Sequence, residues 1–531
     1  MELQILEENL KKFISDPDST NQLVKARDLA EEILQKNSKS NYANYVLALD
    51  DIEYCNYEEA AEKLKKIIDH DPTFEEAYIQ LSMLYDYEGK KEEKFEILIE
   101  AYKHCKDNYI VAYEYACQLL HDYGELEEST KILADCVKKL PQLSGNWANL
   151  GVAYMQSLEI EMAKECFITA LHLDKDNLMA IMGLGVYFFE NSDFTKAKEF
   201  YEKTLEIDPN SLFGKFNLAV LELLSGDMSK GLELYEDSRD KKKFLEKYGG
   251  ERYPELKKKD LNNSSKKIIV MREQGFGDDI MACRYLKCLV DKKHEVSLAA
   301  HESTINFFKS IPELDQIKIQ KNFKELDENT FDFRVFMMSL PFYFWKKSNI
   351  PPEPLGVDNE RLKKFNPKFL AIVKKYFEKN EKKRIAVAWA GNHLHKRHLN
   401  RCIQLEIFSQ IFANDDFEFY VIQKNISKED QKIISKFPNV TLVDKEISDF
   451  SQSALLLNSM DKVITVDTSL IHLAGTLNKK SLLLLPKIPD WRWGLKGNTS
   501  MWYPSVKIAR QQNLNDWNFI GQKVDKFLFE N

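Results

Sequence analysis

The residues with the most chemical promise form one run of nine, Asp467-Thr468-Ser469-Leu470-Ile471-His472-Leu473-Ala474-Gly475. The apolar stretch Val463-Ile464-Thr465-Val466 precedes it and reads as a buried parallel strand. A short amphipathic helix ending near Leu477 follows, then a second buried strand, Ser481 to Leu485. A strand that stops at Asp-Thr-Ser and turns into a helix aims several unpaired N–H groups beyond the strand end. That setting favours anions, phosphate above all. Read more simply, Asp467 or Thr468 is an N-cap worth roughly 1 kcal/mol.

Three further segments carry groups of a matching kind. In Arg272-Glu273-Gln274-Gly275-Phe276-Gly277-Asp278-Asp279-Ile280, Gly275 and Gly277 permit close backbone approach, and the two aspartates sit at the start of a helix running through Leu289. The third glycine of a dinucleotide fingerprint is missing, so a glycine turn with an acidic cap is the rival reading. As chemistry, Asp278 would accept the proton of a hydroxyl attacking a sugar carbon; a helix start favours its ionised form, which suits a base but limits its strength. The loop from Gly391 to Arg401 holds Lys396, Arg397, Asn400 and Arg401, which could neutralise a diphosphate leaving group, or could be solvated surface charge. Its three histidines invite a metal reading, but no nearby carboxylate completes a ligand set. In Pro489-Asp490-Trp491-Arg492-Trp493, two tryptophans around an arginine can line a pocket for a sugar or base face, or can pin the loop by packing. Trp389, Gln423 and Lys424 are placed at the pocket by position alone.

The elements that must hold these groups follow from the rest of the chain. At 531 residues it is too long for one core. Its net charge of −9, with no basic block, argues against general nucleic-acid binding. The acidic start lacks a signal-peptide n-region, apolar runs are of strand length, and eight cysteines include no C-x-x-C pair. A cytoplasmic protein without disulfides is the expectation.

A 34-residue period runs through the first half. Leu150, Leu184 and Leu218 are each followed by a small residue, and Ala163, Ala197 and Gly231 and then Phe167, Tyr201 and Tyr235 keep the same step. Small residues at fixed spacing let two antiparallel helices approach, and the aromatic fills the gap to the next pair. Weaker copies extend upstream to Asn41, and residues 1–40 read as a degenerate cap. This resembles the tetratricopeptide repeat, an α-solenoid whose groove holds a peptide or partner protein; the bland alternative is a scaffold for its own C-terminal half or for a homodimer. From Lys266 short apolar strands alternate with helical segments, so the second half is α/β. Strands are expected at Lys267–Met271, Glu295–Ala300, Phe331–Val335, Arg384–Ala390, Phe417–Gln423, Val440–Val443, Lys462–Val466 and Ser481–Leu485. The expected division is a solenoid at 1–245, a junction at 246–265, a first lobe at 266–350, a linker at 351–380 and a second, donor-binding lobe at 381–531.

Together the stretches EQGFGDDI, AWAGNHLHKRHLNRCIQL, VITVDTSLIHLAG and PDWRWGL…MWYP resemble bacterial proteins that join tetratricopeptide repeats to a glycosyltransferase domain akin to the ADP-heptose:lipopolysaccharide heptosyltransferases. The layout also parallels the O-GlcNAc transferases. The resemblance implies two Rossmann-like lobes of GT-B type and inverting, metal-independent transfer from a nucleoside-diphosphate sugar, with no further cofactor. It makes Asp278 the base, with Gly275 and Gly277 in its turn. Asp467, Thr468 and Ser469 become the diphosphate-binding helix start, His472 its histidine, and Lys396 with Arg401 the basic loop. One departure stands out: where related sequences carry an N-D-R-N-R-S run, this chain has Arg397-His398-Leu399-Asn400-Arg401-Cys402. The leading expectation is a glycosyltransferase whose acceptor is a protein or peptide presented by the repeats. The alternative is a non-catalytic scaffold with a degenerate nucleotide-sugar-binding domain, and a nucleotide-sugar epimerase would use the same lobes.

Overall fold

Small residues at a fixed step produce stacked helix pairs, and the computed structural model of the chain shows them. It describes residues 6, 8, 10, 20–262, 265–321, 330–345, 351–377, 381–391, 401–514 and 516–530. The chain divides into two compact units, Met1–Ile207 and Asp208–Asn531.

The first unit is helical. After α1 (Thr20–Lys36) come five antiparallel pairs: α2 (Asn41–Glu53) with α3 (Tyr57–His70), α4 (Glu75–Tyr87) with α5 (Lys91–Cys105), α6 (Tyr109–Gln118) with α7 (Leu126–Lys139), α8 (Ser144–Gln156) with α9 (Ile160–Leu173), and α10 (Leu178–Glu190) with α11 (Phe194–Ile207). Their closeness has a steric cause. The Phe167 ring lies where a Cβ on Gly151 or Gly183 would stand, at 2.6 and 2.3 Å, and Tyr201 does the same at Gly185, at 2.5 Å. Any side chain at these glycines would push the helices apart.

The backbone repeats as strictly as the side chains. The turns between paired helices each hold one residue in the left-handed region: Cys55, Gly89, Gly124, Leu158, Ser192 and, in the second unit, Gly226. Every step is 34 residues except that from Gly89 to Gly124, which is one longer, and the extra residue is absorbed by a π-helical turn at Leu119–Tyr123. Cys55, Leu158 and Ser192 adopt this conformation without being glycine.

The second unit opens with a sixth pair, α12 (Leu212–Ser225) and α13 (Met228–Asp237), then α14 (Lys241–Tyr248). Two parallel sheets follow. The first has the order β3-β2-β1-β4, from β1 (Lys267–Met271), β2 (Glu295–Ala299), β3 (Lys318–Gln320) and β4 (Phe333–Phe336). The second has the order β10-β9-β8-β5-β6-β7, from β5 (Lys383–Ala388), β6 (Phe417–Val421), β7 (Val440–Leu442), β8 (Lys462–Val466), β9 (Ser481–Leu485) and β10 (Val506–Arg510). Helix α15 (Phe276–Ala282) leaves β1, and α16 (Ser469–Thr476) leaves β8. The C-terminal α17 (Ile520–Phe529) is held by the buried Lys462 ammonium, which donates to the Phe527 and Leu528 carbonyls at 2.7 and 2.9 Å.

Two strands were not foreseen. β3 has only three residues and lies at a sheet edge, and β10 carries Lys507 at its second position and Arg510 at its end, so neither shows an apolar run. The helix expected through Leu289 is broken by a 3₁₀ turn at Cys283–Tyr285. The stretch expected as a linker contains the helices Asn359–Phe365 and Pro367–Phe377. Among the described residues no helix is long and apolar enough to cross a membrane.

Leu158 is 68% exposed at a φ of 64°, so its side chain contributes little packing while its backbone is strained. Leu158→Gly should raise stability by about 1 kcal/mol. Gly226→Ala, at φ 100°, should lower it by about as much or more. Urea midpoints of the full-length variants measure both changes.

Candidate functional site

The site grows from two helix starts. At the end of β1, Gly275 caps α15; its carbonyl accepts from the Asp278 and Asp279 amides at 3.1 and 3.2 Å, and its own amide donates to Asp278 Oδ2 at 3.2 Å. At the end of β8, Thr468 caps α16, its hydroxyl accepting from the Leu470 amide at 3.2 Å. The sequence left the cap open between Asp467 and Thr468; the structure gives it to Thr468 and turns Asp467 toward Arg401, whose Nη1 is 3.6 Å away.

The two starts touch. A Cβ built on Gly277 would stand 2.9 Å from His472 Cδ2 and 3.5 Å from the Ser469 Cα. Only a glycine lets the first turns of α15 and α16 meet so closely, and this contact brings Asp278 beside the anion-favouring start of α16.

Arg492 ties the two sides together. Its Nη2 donates to Asp278 Oδ1, its Nη1 donates to Asp490 Oδ1 at 2.7 Å, and its guanidinium lies over the Trp491 ring at 4.3 Å. The buried Trp502 indole holds the Arg492 carbonyl at 2.9 Å. The Asp278 side chain is 18% exposed. Burial pushes its carboxyl above the usual range although Arg492 opposes the shift. A helix start alone would favour the ionised form; desolvation outweighs it here. Burial and the neighbouring Asp490 likewise push Asp467 up to about 6, and burial brings Asp279, paired with Arg272 at 3.0 Å, to about 7.

A second cluster converges on the ends of the adjacent strands β5 and β8. A Cβ on Gly391 would meet Thr468 Cγ2 at 3.3 Å and Arg401 Nη2 at 3.6 Å. Arg401 Nε is buried without a hydrogen-bond partner among the described residues. The Arg401 cation and the Thr468 cap of α16 therefore lie together beside Gly391. Lys396, with Arg397 and Asn400, lies outside the described residues.

The remaining expected pocket residues are taken up otherwise. Gln423 Oε1 accepts from the Trp389 and Ala390 amides at 3.0 and 2.7 Å, and the buried Trp389 donates its indole N–H to Asp430. Lys424 donates to the Asp444 and Ile447 carbonyls. These three brace strand ends and a loop. Trp491 packs on Arg492 as described. Sequence reasoning gave no site role to Asp490, whose offset of two from Arg492 was a usable signal, nor to Tyr235, read only as a repeat aromatic, nor to Tyr503, which stood only within the quoted MWYP stretch.

His472 is buried between Gly277, the Trp493 ring (5.3 Å, stacked) and the Tyr503 hydroxyl, 3.1 Å from Nδ1. Burial, then Arg492, pull it down to about 3. An unfolded chain takes up this proton near pH 6.5. The native protein does not, so His472 costs stability as pH falls through about 6.5 toward 3. The raised carboxyls act in the opposite sense but are common to wild type and variant. His472→Gln should therefore remove about 2 kcal/mol of the stability lost between pH 7 and 5, read from urea midpoints at both values. An unchanged pH response would mean that the native imidazole is protonated.

Comparison with known proteins finds tetratricopeptide-repeat matches. Solved structures similar to the chain include MamA, residues 41 to the end, from Desulfovibrio magneticus RS-1 (19% identity, 32% of this chain and 95% of that one, TM-score 0.29). They also include YrrB, described as a TPR protein with an unusual peptide-binding site (16% identity, 35% and 95%, TM-score 0.31), and PilF of Pseudomonas aeruginosa (18% identity, 40% and 94%, TM-score 0.31). No curated protein matches the chain. Residues 145–177 and 180–211 match the tetratricopeptide repeat family, so the helix pairs α8–α9 and α10–α11 are tetratricopeptide repeats.

Proposed function

We propose that the chain is a glycosyltransferase of GT-B type that moves a sugar from a nucleoside-diphosphate donor to an acceptor, a protein or peptide held by the repeats. The contact of Gly277 with the start of α16 carries this reading, because it sets a carboxylate and an anion-favouring helix start side by side at the ends of two parallel sheets. The donor diphosphate would take the α16 amides, the Thr468 hydroxyl and Arg401, with Lys396 from the adjoining loop. The acceptor oxygen attacks the anomeric carbon from the opposite face, the carbon–phosphate oxygen bond breaks, and its electron pair leaves with the nucleoside diphosphate. The hydroxyl proton passes to Asp278. Desolvation of Asp278 makes it a stronger base than an exposed carboxylate. Eight cysteines, none bridged among the described residues, fit work in a reducing compartment such as the cytoplasm.

A second reading has its own observation. Both Asp278 oxygens are engaged, one by Arg492 and one by the Gly275 amide, which favours a non-catalytic nucleotide-sugar receptor that scaffolds partners through the repeats.

Radiolabelled UDP-, GDP- and ADP-sugars offered to the full-length protein separate the two. Asp278→Ala should lower turnover by about 10²-fold or more while donor binding persists. Binding without turnover in the wild type would favour the receptor, and no binding of any of the three would end both.

A further inference from the structure

In the first unit the recurring aromatic of the 34-residue repeat meets the glycines of neighbouring helices. Tyr235, the next residue in that series, lies on α13 and meets the α/β part of its own unit instead. Its ring is 5.9 Å from Trp491, and its hydroxyl accepts from the Gln274 side-chain Nε2. The segment after β9 is also bound to α12 through its backbone, since the Leu495 amide donates to the Leu224 carbonyl at 3.3 Å.

Both residues ahead of the Gly275 cap are held by the same helix pair and its exit. Glu273 accepts from Arg239, which also pairs with Glu236 of α13, and Gln274 is held by Tyr235. On the other side Trp491 carries the Arg492 guanidinium, which grips Asp278. Tyr235 thus contacts the Asp278 turn and the Arg492 loop at once. Its outward neighbour is Phe216 of α12, 44% exposed, with ring centroids 6.1 Å apart.

We infer that Tyr235, on the last helix pair, is a positioning residue that holds the Asp278–Arg492 pair in register through the Gln274 turn and the Trp491 loop. The catalytic consequence rests on the transferase reading; the positioning itself does not.

Carboxyl footprinting tests it on the full-length protein. Wild type, Tyr235→Phe and Tyr235→Leu are treated with a water-soluble carbodiimide and glycine ethyl ester, and labelling rates are read by mass spectrometry at Asp278, Asp490, Asp279 and Asp516. Tyr235→Leu should raise labelling of Asp278 about fivefold, and Tyr235→Phe, which keeps the ring and loses only the Gln274 hydrogen bond, about twofold. Asp279, one residue on but paired with Arg272, should not change. An unchanged Asp278 rate in Tyr235→Leu, or a parallel rise at Asp279 that marks general loosening, would overturn the inference. The same variants are titrated with the labelled nucleotide sugars. If the wild type turns a donor over, Tyr235→Leu should change the turnover rate more than the donor affinity. If no donor binds, the transferase reading falls and the footprint still decides the positioning.

Discussion

A partly buried row of alternating charge governs the second unit. Asp490 and Asp278 share one guanidinium, that of Arg492, while Asp467 faces Arg401. Removing Arg492 would leave both carboxylates without their shared cation, whereas removing Asp278 leaves Arg492 paired with Asp490. The row is possible because α15 and α16 meet without a side chain at Gly277, where the nearest atoms leave no room for one. The contact and the charges depend on each other: the glycine brings Asp278 within reach of Arg492, and the ion pairs hold the two helix starts against their mutual desolvation. His472 completes the packing only as a neutral ring, so the interface has a built-in sensitivity to acid.

The helical half is governed by backbone geometry rather than charge. One left-handed residue per helix pair sets each turn, and a single π turn absorbs the one irregular step. Where glycine is absent, the packing of Ala, Gly and aromatic side chains sustains the strained turn. In the helix pair that opens the second unit, Tyr235 and Leu224 contact the segment after β9, so this pair and the candidate site share residues.

Much of this was legible beforehand, and the failures have physical causes. β1, β8 and β9 match the expected strands because, after a polar first residue, their positions are buried and almost all apolar. β3 and β10 escaped because edge position or charged residues break that run. The Thr468 cap follows from strand-turn-helix spacing, although spacing could not choose between it and Asp467. Lys424, Gln423 and Trp389 were assigned to a pocket by position, yet each meets a local hydrogen-bonding demand at a strand end or loop. A polar side chain near a strand end satisfies the backbone around it before it serves a ligand, and sequence position does not show which need wins.

The sequence by itself determined the repeat, the two runs of parallel strands and the places where helices begin, because these depend on local periodicity and on residues close along the chain. Only the tertiary structure decided which charges face one another. The partners Arg492 and Asp278 are more than 200 residues apart, and the pairing of Tyr235 with Trp491 joins a helical repeat to a loop. They meet through Coulomb attraction and ring packing at a contact that exists only when both sheets are folded, and no spacing rule reaches across that distance.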